Sequence, residues 1–143
     1  MIDNFSGKYR FLSNFYPHAI TWEEIRYPST EHAYQAAKTT NIFIRQIMAK
    51  ERSPRAVKKL GRTLILRSDW ESIKLDIMLE ICRIKFTDPA LRQKLIETYP
   101  CILVEGNWWG DTFWGVCNGH GTNHLGKTLM RIRKEIMNGT TEL

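Results

Sequence analysis

The chain has 143 residues, enough for one domain with a substantial core. Hydrophobic content of 43% with 25% charged residues is that of an ordinary globular chain. The excess of 21 Lys and Arg over 15 acids gives a net charge of +6, which favours anionic partners such as nucleic acid or phosphate-bearing ligands without requiring them. Three cysteines, Cys82, Cys101 and Cys117, are odd in number and far apart, so neither a disulfide framework nor a metal pattern follows. A reducing cytosol is the simplest reading, and a cytoplasmic protein is expected. Met1-Ile2-Asp3-Asn4 opens no signal peptide, and no apolar run reaches transmembrane length.

Phe5 to Ile20 is aromatic and carries the turn residues Asn14 and Pro17, which predicts a strand or loop rather than a helix. Ala19 to Tyr27 predicts a short hairpin around Glu23-Glu24, since Ile20, Trp22, Ile25 and Tyr27 suit strands. A helix is expected from about Thr30 to Thr39, with Ser29 or Thr30 as N-cap and Glu31 in the first turn. A second helix is expected over 42–50. Ser53-Pro54 starts a third, with Gly61 read as its terminator. Asp69 to Phe86 is the longest helical pattern, with Trp70, Ile73, Ile77, Ile81 and Ile84 in one stripe and Lys74, Met78 and Lys85 along its edge. The plain reading of those lysines is snorkelling at the margin of a core helix. Asp88-Pro89 opens a helix to about Thr98. Ile102-Leu103-Val104 reads as a short buried strand. A last helix starts at Gly121-Thr122 and carries Leu125, Leu129, Ile132 and Ile136 on one face. The expectation is a mainly helical α+β domain over 1–138 with a small antiparallel sheet, followed by a disordered tail at 139–143.

The helix after Pro28 inverts the usual amphipathic pattern. Ala33, Ala36 and Ala37 take one side, while Glu31, Tyr34, Gln35 and Lys38 share the other. Such a polar face is either a solvated surface or the floor of a polar site. Farther on, Glu105 and Asp111 share a loop with Trp108, Trp109 and Trp114. Indoles stack on flat heterocycles, although tryptophans also plug small sheets. Acids beside stacking rings suit cleavage of a sugar–base bond, in which positive charge develops on the sugar carbon. Residues 121–128 (GTNHLGKT) fit the phosphate-loop pattern literally. The preceding residues make a poor strand, and Leu125 and Gly126 belong to the helical periodicity. Thr122 is therefore read as an N-cap and Gly126 as a site of close helix packing. The four histidines (His18, His32, His120, His124) show no ligand spacing, so neither a metal nor another cofactor is expected.

Taken together, residues 27–38 (YPSTEHAYQAAK), the early 12–16 (LSNFY), Lys85-Phe86, 103–105 (LVE), 111–115 (DTFWG) and 121–130 (GTNHLGKTLM) resemble the NADAR, or YbiA-like, family over about Phe11 to Arg133. The resemblance implies a compact, mainly helical N-glycosidase. Some members of that family act on early riboflavin-pathway intermediates. Others remove ADP-ribose from guanine in nucleic acid, as antitoxins to a DNA-modifying ADP-ribosyltransferase. De-ADP-ribosylation of guanine is the expected activity, with the riboflavin-type hydrolase and a non-catalytic ADP-ribose or nucleotide reader as alternatives. The implied substrates are an ADP-ribosylated guanine nucleotide or DNA, or a riboflavin intermediate, with a toxin partner and no membrane. Residue by residue, the resemblance implies catalytic roles for Glu31, Lys38 and Asp111, with Lys38 a nucleophile of depressed pKa able to form a Schiff base. It implies substrate contacts by Asn14, Phe15, Tyr34, Gln35, Trp70, Lys74, Lys85, Glu105, Trp108, Trp114, Gly115 and Asn123. It also implies Lys127 as a further phosphate partner.

Overall fold

The computed structural model describes residues 1–139. Apart from Gly139, the expected disordered tail lies outside the described residues. Two units of chain emerge, one of residues 14–85 and one of residues 1–13 with 86–143. The α+β, mainly helical expectation holds.

In the 14–85 unit, β1 (Ile20–Trp22) and β2 (Ile25–Tyr27) pair antiparallel, with Ile20 opposite Tyr27 and Trp22 opposite Ile25. The two-residue turn places Glu23 and Glu24 at φ 46° and 70°, the doubly left-handed geometry that matches strand twist. Next comes α1 (Thr30–Ala36), which packs against α2 (Ile42–Lys50), α3 (Pro54–Gly61), α4 (Trp70–Lys85) and both strands. Each of its seven residues is buried. The wet-face reading of α1 is therefore excluded, because its polar side chains face protein.

Local chemistry sets these helix starts, at Ser53 and Asp88 as expected and at Asn41 where no cap was anticipated. Asn41, Ser53 and Asp88 each accept the backbone N–H three residues on, from Ile44, Ala56 and Leu91. Pro54 and Pro89 occupy first-turn positions where no N–H is needed. Gly61 does not terminate α3 through a left-handed conformation. It is the last helical residue, and Arg62 follows as an ordinary right-handed cap. Along α4 the stripe is rotated from the expected one. Trp70, Met78, Ile81, Cys82 and Lys85 are buried, while Ile73, Ile77 and Ile84 are only half-buried.

In the other unit, Gly7–Leu12 forms a 3-10 helix where strand or loop was expected. Residues 102–104 do not form a strand of their own. Ile2 makes a parallel bridge to Leu103, donating to the Ile102 carbonyl and accepting from the Val104 N–H. The regular pairing lies one step farther on, between β3 (Gly106–Asn107) and β4 (Val116–Cys117), and it is parallel. Two helices complete the unit, α5 (Pro89–Glu97) and α6 (His124–Met137), which pack together. Leu125, Leu129, Ile132 and Ile136 are buried on α6, as their spacing predicts.

Candidate active site

The start of α1 is held from outside the helix. Asn14 accepts the Glu31 backbone N–H on its carbonyl at 3.1 Å, and its side-chain oxygen accepts the Thr30 hydroxyl at 2.9 Å. Its amide donates to the Met78 sulfur at 3.3 Å. Ser29 is the N-cap, with its hydroxyl oxygen accepting the His32 N–H at 3.2 Å. The same hydroxyl lies 2.7 Å from His32 Nδ1, while Nε2 faces the Glu51 carbonyl at 2.6 Å. A carbonyl can only accept, so Nε2 carries the proton and Nδ1 accepts from Ser29. Burial holds the pKa of this ring below its ordinary 6.5.

On the next turn the Gln35 amide donates to Glu31 Oε1 at 2.9 Å, and both residues are buried. Lys38 lies just past the helix, beyond the cap residue Ala37, on a tightened turn in which its N–H donates to the Gln35 carbonyl at 3.2 Å. The Lys38 carbonyl accepts the Arg67 backbone N–H at 2.9 Å. Arg45 donates to the Ala36 and Thr39 carbonyls, so the end of α1 is closed by a buried guanidinium.

Lys38 is half-buried, with Nζ 5.8 Å from the Tyr34 ring centre. Tyr34 in turn leans on buried Trp70, with centroids 5.2 Å apart at 55°. Burial lowers the Lys38 pKa below 10.5, against the opposing pull of Glu31; the positive charges of Arg62, Lys58 and Lys74 lower it further. Lys58 lies over the Phe15 ring at 5.9 Å, and Lys74 pairs with Glu71 at 2.6 Å. Lys85 is 1% exposed, and its burial pushes the pKa down to about 8. Its ammonium lies 5.7 Å from the Tyr16 ring, and the neighbouring Cys82 thiol is pushed up to about 12. Lys85 is thus a core lysine and does not snorkel.

The 14–85 unit therefore brings Asn14, Glu31, Tyr34, Gln35, Lys38 and Trp70 onto one helix and its supports. Phe15, Lys74 and Lys85 belong to the same unit. The remaining expected residues lie in the other unit, where most are tied to backbone. Asp111 Oδ1 accepts the Phe113 and Trp114 N–H groups at 3.1 and 2.9 Å. Asn123 Oδ1 accepts the Glu105 N–H at 3.0 Å, and its amide donates to the Leu103 carbonyl at 2.9 Å. Trp114 meets Phe113 edge-on at 4.9 Å between centroids. Trp108 is 85% exposed and touches Trp109 at right angles. Gly115 is buried, and an added Cβ there would lie 2.1 Å from the Glu105 carbonyl oxygen.

The phosphate-loop match has no anion site behind it. The N–H groups of Thr122, Asn123, His124 and Leu125 donate to the carbonyls of Thr112, Gly115, Phe113 and Trp114. The donors that a phosphate would need are already taken. The helix N-cap is Asn123, in left-handed conformation at φ 56°, not Thr122. Gly126 does serve close packing, since a Cβ there would lie 2.2 Å from the Leu103 oxygen and 2.4 Å from the Asn123 amide. Among the described residues, no group of three His, Cys, Asp or Glu is placed to hold a metal ion. Nor is any helix long and apolar enough to cross a membrane.

Gly61, Arg67, Lys58 and Arg62 escaped the sequence reading. Gly61 had a signal, a glycine at a helix end, but that signal pointed to termination. The other three look like ordinary surface cations until the fold places them near Lys38.

This fold is that of the E. coli protein YbiA, whose NMR structure superposes with a TM-score of 0.85 at 33% identity, covering 100% of this chain and 90% of that one. Residues 3–137 match the NADAR domain, and the chain belongs to the NADAR family. An N-glycosidase of Nostoc punctiforme is 40% identical, covering 91% of this chain and 87% of its own length. The chloroplastic riboflavin biosynthesis protein PYRR of Zea mays is 36% identical over 88% of this chain, which spans 23% of that longer protein. The names of these relatives support an N-glycosidase role.

Proposed function

We propose that the protein hydrolyses a ribose–nitrogen bond and that its preferred substrate is guanine carrying ADP-ribose, in nucleic acid. The observation that carries this reading is the buried Glu31–Gln35 pair with Lys38 on the following turn, its pKa depressed. An uncharged Lys38 attacks the anomeric carbon of the ribose through Nζ. The carbon–nitrogen bond breaks, and its electron pair leaves with the base. The Glu31 carboxylate, hydrogen-bonded by the Gln35 amide, takes the proton that Nζ loses and delivers it to the departing base. The Nζ lone pair then forms the C=N bond as the ring oxygen leaves the same carbon, and the remaining Nζ proton passes to that oxygen, giving a Schiff base. Water adds to that carbon and the amine departs, regenerating Lys38. Lys58, Arg62 and Lys74 supply positive charge for the phosphates of the substrate. An ADP-ribosyltransferase acting on DNA is the class of partner that would supply it.

A second reading, hydrolysis of a riboflavin-pathway intermediate, is favoured by the names of the maize relative and of a Vibrio vulnificus riboflavin biosynthesis protein, 35% identical over 88% of this chain. Both substrates present a ribose N-glycoside beside a flat heterocycle and a phosphate. The test is turnover of both, side by side, with mass detection. Release of ADP-ribose from modified DNA, with slow action on the flavin precursor, supports the first reading; the reverse supports the second. Binding without turnover of either would leave a nucleotide reader. Borohydride should trap the sugar on the native protein and not on Lys38→Ala. Full turnover by Lys38→Ala would instead mean direct attack by water.

A further inference from the structure

We infer that Gly61 is a positioning residue for the Glu31 carboxylate, acting through the Gln35 side chain; the inference rests on the reading that Glu31 works at the ribose. Gly61 is buried at the end of α3, on the side facing α1. A Cβ built there would lie 1.9 Å from Gln35 Oε1, 2.8 Å from its Cδ and 3.3 Å from its Cβ. Real Cβ atoms do not come so close, so any side chain at 61 evicts the amide. Gln35 has few alternatives, because it is 3% exposed and its Oε1 has no hydrogen-bond partner among the described residues. The amide orientation therefore has two determinants, the Glu31 oxygen that accepts from Nε2 at 2.9 Å and the notch left by the missing side chain at 61. With Oε1 seated in the notch, nitrogen must face Glu31. Position 61 thereby fixes which way the amide donor points at the Glu31 carboxylate. A shape feature on one helix thus sets the orientation of a polar pair on another.

Replacing a helical glycine by alanine ordinarily favours the helix, so a loss at this position carries information. The experiment compares wild type, Gly61→Ala, Gln35→Ala and the double variant. Two readouts are followed: turnover of the ribosides, and the Gln35 side-chain amide resonance through a pH titration. In wild type that resonance should follow the ionisation of Glu31. In Gly61→Ala the dependence should vanish, kcat should fall at least tenfold and the acid limb of the pH profile should shift. In the Gln35→Ala background the Gly61→Ala change should have less than a twofold effect, because the two closest atoms, Oε1 and Cδ, are gone and only the Cβ contact at 3.3 Å remains. If Gly61→Ala fails to fold, restored folding in the double variant supports the coupling and continued unfolding overturns it. A Gly61→Ala protein with wild-type turnover and an unchanged Gln35 titration also overturns it. If wild type turns over neither riboside, yet the Gln35 titration is present and collapses in Gly61→Ala, the proposed function has failed and the positioning role of Gly61 stands.

Discussion

Replacing Asn123 by alanine should damage the fold more than it damages the chemistry. The Asn123 amide satisfies two backbone groups, the Glu105 N–H at 3.0 Å and the Leu103 carbonyl at 2.9 Å. Stranding a buried backbone group costs about 1–3 kcal/mol, with the lower end fitting the half-buried Glu105 N–H. The residue also sits at φ 56° and ψ 43°, where an alanine pays about 1–2 kcal/mol for its Cβ. The sum is about 3–6 kcal/mol, a large share of the roughly 5–15 kcal/mol that holds a domain folded. Asn123→Gly loses the same two bonds but escapes the backbone penalty, so it should recover about 1 kcal/mol of the loss. Urea unfolding of the three proteins measures both differences, and turnover per folded molecule is read alongside. An alanine variant as stable as wild type but without turnover would refute the reasoning. Asn123 would then owe its place to a ligand, as the family resemblance alone implies, and not to the backbone it bridges.

Three other outcomes are expected. Burial and the charges of Arg62, Lys58 and Lys74 hold the Lys38 pKa below 10.5, so kcat/KM should rise with pH through an apparent value below 10.5. Neutralising Lys58 and Arg62 should move that limb to higher pH, and an unmoved limb would dissociate it from Lys38. The lowered pKa of His32 means that, as pH falls below about 6.5, the unfolded chain binds the proton more readily than the folded one. Stability present above that pH should therefore be lost on acidification, seen as a falling urea midpoint that is flattened in His32→Gln. Glu24→Gly should raise stability by about 1 kcal/mol, because φ 70° costs a glutamate and not a glycine; an unchanged melting curve would contradict this.

Several helix starts were legible because caps are local chemistry: Ser29, Ser53 and Asp88 each announce a helix within three residues of chain. By contrast, α1 ends at Ala36, short of the expected Thr39, and α6 begins at His124, beyond the expected Gly121-Thr122. The polar face of α1 was legible as an anomaly, Glu31 and Gln35 opposite three alanines, but the spacing alone could not tell a wet face from a buried one. Only the packing of α2, α3 and α4 around it decided that. What resisted reading depends on partners distant in the chain. The 3-10 helix at Gly7–Leu12 looks aromatic and strand-like because Phe11 and Leu12 are core residues. Leu103 sits in a bridge to Ile2, a hundred residues earlier, which no local pattern encodes. The buried face of α4 was misjudged because Lys85 counts as polar in any periodicity, although it is buried as deeply as Met78.

The burial of α1 on every side also bears on how this chain can change over time. A surface helix has an outer face where substitutions drift freely and where marker groups or charges can be added without harm. The seven residues from Thr30 to Ala36 have no such face. Even the alanines are held at 0% exposure. Saturation mutagenesis of this segment should therefore yield almost no tolerated replacements, whereas the outer positions of α2, Phe43 and Ile47, should accept many. A helix of barely two turns would be the least variable segment of the 14–85 unit, and variation there would signal a chain that has given up the proposed chemistry.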